Sequence, residues 1–247
     1  MSGGAKRTPA IEAVDLSRRF GALAALRSVT LDVAHGECVA LFGPNGAGKT
    51  TLIRILTLGL RPTSGTLRVA GLDPRSDDRE IRRRIGAISH ASFLYDDLTP
   101  RQNLEFFGRL YGAPDAPGRA VRLLETVGLS SRADDSVGTL SRGLQQRASL
   151  ARALVHDPEI VFLDEPFTGL DPLGARALCR ALATLRSDGR TVVLTTHDLR
   201  QGLELSDRWV LLARGRIVDQ GRSADTDPRT FEETYLERVG APRRGAA

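Results

Sequence analysis

Between the nearly uninterrupted apolar run Glu37-Cys38-Val39-Ala40-Leu41-Phe42 and a stretch of helical character from Lys49 to Leu60 lies the octet Gly43-Pro44-Asn45-Gly46-Ala47-Gly48-Lys49-Thr50. It fits G-x-x-x-x-G-K-[ST] in the strand-to-helix setting that the pattern requires. The apolar run is the mark of a strand buried on both faces, so a parallel sheet core begins there. The glycines let backbone N–H groups turn inward as an anion nest, and the helix N-terminus near Gly48 adds its positive dipole end. The chemistry called for is a bound polyphosphate.

Of the 35 Lys and Arg residues in this 247-residue chain, only Lys6 and Lys49 are lysine. Lys49 is therefore an exception in a chain that otherwise places arginine wherever a positive charge serves. A compact ammonium on a long stem reaches between the β and γ phosphates, where the broader planar guanidinium fits poorly. Thr50 supplies a hydroxyl ligand for Mg²⁺, and Thr51 is placed to contact the α phosphate. The remaining arginines read as a solvated surface. Net charge is +5, but no basic run interleaved with aromatics appears, so nucleic acid is not expected as a partner.

Composition narrows the class further. With 41% hydrophobic and 26% charged residues and no apolar run of about 18, neither a spanning helix nor wholesale disorder is expected. Any membrane role comes through a partner. The first residues lack a signal peptide's apolar stretch, and Cys38 and Cys179 are too few for a disulfide framework, so the expected setting is cytoplasmic and reduced.

Ile11 to Val33 reads as short strands about a turn at Phe20-Gly21, with Val29, Leu31 and Val33 alternating with Thr30 and Asp32. Further strands are expected at Thr66–Ala70, Ile85–Ser89, Glu159–Leu163, Thr191–Thr196 and Arg208–Ala213. From Ser89 to Asp157 only helical stretches appear, near Arg101–Leu110, Arg119–Val127 and Arg142–Val155. This gives an α/β chain with an N-terminal antiparallel β subdomain and a helical insertion in the core. The expected boundaries are a nucleotide-binding unit over 8–221, an insertion over about 90–157, and a C-terminal helix with a polar tail over 222–247.

The strand Glu159-Ile160-Val161-Phe162-Leu163 ends in two adjacent acids, Asp164 and Glu165. A phosphate loop requires a second Mg²⁺ contact from the end of a neighbouring strand, and Asp164 answers to that, through water. Glu165, pointing differently, is placed to orient or deprotonate the water that attacks the γ phosphate.

With these segments in place, the chain from about Ile11 to Gly221 resembles an ATP-binding cassette nucleotide-binding domain. Its most specific element is Leu140-Ser141-Arg142-Gly143-Leu144-Gln145-Gln146-Arg147, similar to the family's LSGGQ signature followed by QQR, with Ser141 as a helix N-cap. The resemblance implies a phosphate-loop NTPase (RecA-like) core. It also implies that Ser141 and Gly143 bind the γ phosphate of ATP held by the opposite subunit, in a homodimer or heterodimer of such domains. By the same resemblance Phe20 stacks on adenine, Asp171 of Thr168-Gly169-Leu170-Asp171 senses the other subunit, and His197 contacts the γ phosphate and Glu165. Lys49, Glu165 and His197 then form the catalytic set, with ATP and Mg²⁺ bound and separate integral membrane subunits driven from the cytoplasmic face. Phe93, Leu94 and Tyr95 are either docking residues for such a subunit or packing for the insertion.

Two departures stand out. Arg142 and Leu144 replace Gly and Gln in the signature, and His90 stands where the family has a glutamine that touches Mg²⁺ and the attacking water. An imidazole there can accept a hydrogen bond or ligate metal, but protonation near pH ~6.5 removes that capacity, so turnover is expected to fall on acidification. His90, Leu94-Tyr95-Asp96-Asp97-Leu98-Thr99, Leu140-Ser141-Arg142-Gly143 and Asp164-Glu165-Pro166-Phe167-Thr168-Gly169-Leu170-Asp171 together resemble the haem-exporter ATP-binding subunit of cytochrome c maturation. Exporters of drugs or polysaccharides have closely similar ATPase subunits. A nucleotide-gated cassette without a transport role is the remaining alternative.

Overall fold

The computed structural model describes residues 8–89 and 92–240. β1 (Ile11–Phe20) and β2 (Leu23–Val33) form an antiparallel hairpin about the expected turn, and β3 (Cys38–Phe42) then feeds the glycine-rich loop and α1 (Lys49–Leu56). The helix stops four residues short of expectation. Thr57 turns its hydroxyl back to the Ile53 carbonyl at 2.9 Å, and Leu58 takes a left-handed backbone at φ 59°. β4 (Ser64–Val69) returns to pair with β1, completing a three-stranded antiparallel sheet in the order β2-β1-β4.

α2 (Asp78–Arg84) leads into β5 (Ile85–Ile88). Three helices follow: α3 (Pro100–Tyr111), α4 (Ala116–Thr126) and α5 (Arg142–Leu154). Thr99 starts α3 with a capping box, its hydroxyl accepting from the Gln102 N–H while the Gln102 side chain accepts from the Thr99 N–H. Between β5 and β6 (Ile160–Asp164) the described residues contain no strand. Then come α6 (Pro172–Ser187), β7 (Thr191–Thr195), α7 (Leu199–Leu205), β8 (Arg208–Ala213), β9 (Arg216–Arg222) and α8 (Pro228–Gly240).

The second sheet runs β5-β6-β7-β3-β8-β9, parallel throughout except for β9, which closes the edge against β8. β3, β6 and β7 are buried along their whole length, as their unbroken apolar runs require. Their alternate side chains enter two cores. Cys38, Ala40 and Phe42 face the helices of the insertion and the C-terminal half, while Val39 and Leu41 face α1 and the antiparallel sheet. Phe42 is the last residue before the loop. Its ring meets Phe231 of α8 at 5.4 Å between centroids, and Gly202 of α7 lies so close that an added Cβ would sit 2.4 Å from the ring.

The expectation that every arginine is a solvated surface residue does not hold. Arg208 pairs with Glu37, Nε to Oε1 at 2.7 Å, and Arg152 on α5 is only 9% exposed. The aliphatic stem of arginine packs readily among apolar groups while its head finds carbonyls or rings.

Candidate active site

Three neighbouring strands, β6, β7 and β3, end at the same edge of the sheet, where an open α/β sheet places its ligand. β3 releases the glycine-rich loop. Gly43 has φ 151°, and a Cβ on it would lie 2.2 Å from the Leu212 carbonyl oxygen of β8, so only glycine fits. Gly48, at φ 108°, caps α1 without a side chain, and a Cβ on it would lie 2.7 Å from the Ala25 carbonyl oxygen of β2. The turn between β8 and β9 fixes the loop from behind: the Gly215 N–H donates to the Ala47 carbonyl at 2.9 Å.

Lys49 is 8% exposed, and its Nζ donates to the carbonyls of Gly43 at 2.6 Å and Pro44 at 3.2 Å. Burial pulls its pKa below the ordinary lysine value, and the negative charges of Glu165 and Asp164 oppose that pull. The lone lysine of the described residues thus sits within the field of both acids at the end of β6. With Phe20, Thr50, Thr51 and Glu165 it lines a cleft of about 540 Å³ that also includes Pro44 to Gly48. Phe20 is 45% exposed at the cleft's far end, with the Arg18 guanidinium 4.6 Å from its ring.

The two acids are held apart by one hydroxyl. Thr195, directly across the ladder from Asp164, donates its Oγ1–H to Asp164 Oδ1 at 2.7 Å and accepts the Glu165 N–H at 2.8 Å. Glu165 takes a left-handed backbone, φ 52°, which swings its side chain away from that of Asp164. Its Oε2 meets His197 Nδ1 at 2.8 Å, and His197 lies two residues past the end of β7. Asp164 is 2% exposed, and its Oδ2 has no hydrogen-bond partner among the described residues.

That orphaned oxygen, with the exposed Thr50 hydroxyl at the first turn of α1, fits a divalent cation that takes most of its ligands from water and phosphate, as Mg²⁺ does. Among the described residues no cluster of three or more His, Cys, Asp or Glu forms an all-protein metal cage.

The signature segment lies elsewhere. Ser141 caps α5, its Oγ accepting the Leu144 N–H at 3.4 Å, and Asp171 caps α6, accepting the Gly174 N–H at 2.7 Å. Neither they nor Gly143 line the phosphate cleft. Leu144, one of the departures, packs against the helical core, and Arg142 points to solvent. His90 lies outside the described residues. Thr195 escaped the sequence reading, although a polar pair, Thr195-Thr196, closing an apolar strand before His197 is its signal.

The family model described as ABC transporter matches residues 26–168, from β2 through the phosphate loop, the signature and the acid pair. This chain belongs to the ABC transporter family. The cassette is 40% identical over 215 residues to the daunorubicin resistance ATP-binding protein DrrA3 of Streptomyces coeruleorubidus, covering 86% of this chain and 68% of that protein. It is 40% identical over 210 residues to the Nod factor export ATP-binding protein I of Burkholderia lata, covering 84% and 69%. Among solved structures, the ATP-binding subunit of an ABC transporter superposes with a TM-score of 0.84 at 31% identity, over 92% of this chain and 98% of that one. A dimeric ATP-binding cassette in a post-hydrolysis state with ADP and Pi superposes with a TM-score of 0.79 at 28% identity, over 86% and 98%. The cassette is an ABC transporter ATPase subunit with the phosphate-loop NTPase fold, and no helix of its described residues is long and apolar enough to cross a membrane.

Proposed function

We propose that the cassette is the motor of an exporter, with two such domains closing on two MgATP, each ATP held between one phosphate loop and the partner's Ser141–Gly143 segment. The observation that carries hydrolysis is the Glu165–His197 contact of 2.8 Å at the cleft that holds Lys49. Glu165 takes a proton from water as its oxygen bonds to the γ phosphorus. The bond to the β–γ bridging oxygen breaks, and ADP and phosphate leave. His197 keeps the carboxylate aimed and reaches the γ phosphate, and Lys49 neutralises charge that develops there. Asp164 and Thr50 would hold Mg²⁺, which supplies further charge neutralisation when bound. Gly43 to Thr51 cradle the phosphates, Phe20 stacks on adenine, and Asp171 faces the partner domain. The placement of Ser141 and Gly143 away from the cleft supports a site completed only in the dimer.

The relatives' names, daunorubicin resistance and Nod factor export, support the export reading, with drugs or polysaccharides as the proposed cargo classes. The haem-export reading rests on residue segments alone, and those relatives do not carry that name. A deletion strain that still matures c-type cytochromes removes it. Phe93 and Tyr95, 59% and 53% exposed, support docking to a membrane subunit on the cytoplasmic side, while Leu94 packs against the helical core. Glu165→Gln is expected to lower phosphate release roughly 10²–10⁴-fold while ATP binding and the ATP-dependent dimer persist. Release at the wild-type rate in that variant overturns the hydrolytic reading.

A further inference from the structure

In the β1–β2 hairpin the pairing slips between Leu16 and Arg18 and again between Arg18 and Arg19, and Ser28 takes a left-handed backbone at φ 48°. Breaks of this kind re-aim side chains. In an unbroken strand Arg27 and Ser28 would face opposite ways. Here both line a cleft of about 570 Å³, together with Ser17 and Arg19 of β1, Thr63 ahead of β4 and Arg216 of β9. The cleft shares Ala24 and Arg27 with the phosphate cleft, but no residue of the glycine-rich loop enters it.

The polar side chains of this lining have N–H and O–H groups to spare. Arg27 is half-buried, and its Nε is shut off from water without a partner. Among the described residues neither Arg27 nor Arg216 has an ion-pair partner, and Arg19 spends one long hydrogen bond, Nη2 to the Ala22 carbonyl at 3.5 Å. The Ser17 hydroxyl accepts the Ser28 N–H at 2.9 Å and the Thr63 hydroxyl accepts the Arg19 N–H at 3.1 Å, which leaves each O–H to be donated into the cleft. No Asp or Glu lines the cleft, and residues 1–7, 90–91 and 241–247 contain no Asp or Glu side chain. An arginine-rich composition does not by itself produce this, because arginines elsewhere on the surface stand against acids, as in Arg82–Asp78, Arg84–Glu80 and Arg132–Asp135. A concave surface lined by charge of one sign concentrates anions.

We propose that this cleft is an anion site for a ligand carrying two linked phosphate groups, held by Arg19, Arg27 and Arg216. Each guanidinium fork takes two oxygens, so a single phosphate leaves one of the three forks empty, whereas a diphosphate occupies all of them. No aromatic ring lines the cleft, so it offers a nucleobase nothing to stack on and reads the phosphates alone. The site goes beyond the motor reading and does not depend on hydrolysis. The same chemistry is offered by a free diphosphate and by a lipid headgroup with two phosphates.

Inorganic pyrophosphate, titrated calorimetrically into the full chain with AMP-PNP and equimolar Mg²⁺ filling the phosphate loop, tests it. Pyrophosphate is expected to bind saturably, and inorganic phosphate at least about tenfold more weakly. The double variant Arg19→Gln/Arg216→Gln, at two exposed positions, should weaken pyrophosphate at least about tenfold. Phosphate release from ATP should stay within about twofold, because neither residue lines the phosphate cleft. Co-sedimentation with phosphatidylcholine vesicles, with and without cardiolipin, distinguishes the sources. Cardiolipin-dependent binding that pyrophosphate competes away and the double variant loses assigns the ligand to a membrane headgroup; pyrophosphate binding without it assigns a free diphosphate. Absence of pyrophosphate binding, equal binding of phosphate and pyrophosphate, or binding that survives unchanged in the double variant overturns the proposal.

Discussion

Lys49 and Arg152 are both buried cations with pKa values pulled down by burial, yet their surroundings differ in kind. The ammonium at the sheet edge has two loop carbonyls and the charges of Asp164 and Glu165 near it; the guanidinium in the helical layer has one carbonyl, two rings and no acid. A buried charge is tolerated when opposite charge or hydrogen bonds replace lost water. At the sheet edge that compensation comes from residues with chemistry of their own. In the helical layer the protein supplies polarisable rings and stops short of a counter-ion, so the two sites answer differently to removal of the charge.

Removing Lys49 is the severest way to probe that contrast. Lys49→Ala is expected to cut phosphate release by roughly 10²–10³-fold, the loss typical of one preorganised group that stabilises developing charge. Lys49→Arg should recover little, because the planar fork does not fit a loop shaped for a point charge. Full recovery by arginine would make the two cations equivalent after all. Thr195→Val comes next. It strips Asp164 Oδ1 and the Glu165 N–H of their shared hydroxyl, and a buried hydrogen bond lost in this way costs about 1–3 kcal/mol, read as a roughly tenfold or greater fall in phosphate release. An unchanged rate would show that the acids need no such spacer.

Arg152→Met tests the other half. Replacing an unneutralised buried ion by an apolar chain of similar length is often neutral or stabilising, so the urea midpoint of the isolated chain should fall by less than about 1 kcal/mol equivalent, with phosphate release within about twofold. A large loss of stability would mean that the rings and the Ala87 carbonyl compensate the charge fully.

The smallest effect is a pH dependence. Burial holds the His156 pKa below its ordinary 6.5, with the charges of Arg152 and Arg119 adding to the depression while the Ile85 hydrogen bond and Asp157 oppose it. Between the depressed value and 6.5 the unfolded chain binds the proton more readily, so stability falls as pH drops through that window, by at most about 1.4 kcal/mol per pH unit. Urea titrations should show this slope in the wild type and lose it in His156→Gln. In Arg152→Met the window should narrow.

What could be read in advance follows the same division. The loop, the acid pair and the Ser141 cap are contiguous in sequence, so spacing alone exposes them. Arg152 sits in Arg-Ala-Ser-Leu-Ala-Arg-Ala-Leu, a stretch that looks like any polar helix face, and its burial is made by Ala87, Phe93 and Phe107 from distant segments. β9 was missed for a related reason. It alternates half-buried and exposed residues at the sheet edge, and only the ladder to β8 makes it a strand. α2 buries Ile81 alone and is laced by Arg82–Asp78 and Arg84–Glu80 pairs, which leave little apolar periodicity to detect. Thr195 looks like any strand threonine until the left-handed turn at Glu165 brings the next N–H to it.

The ring of Phe42 has a mechanical implication. One more carbon on Gly202 would collide with it at 2.4 Å, and Phe231 leans on it from the other side. A rotation of α7 that carries His197 toward or away from the cleft must therefore roll across this ring, whose own strand continues into the loop. The helix after His197 and the strand that feeds the loop thus share one packed ring, which the C-terminal helix also touches.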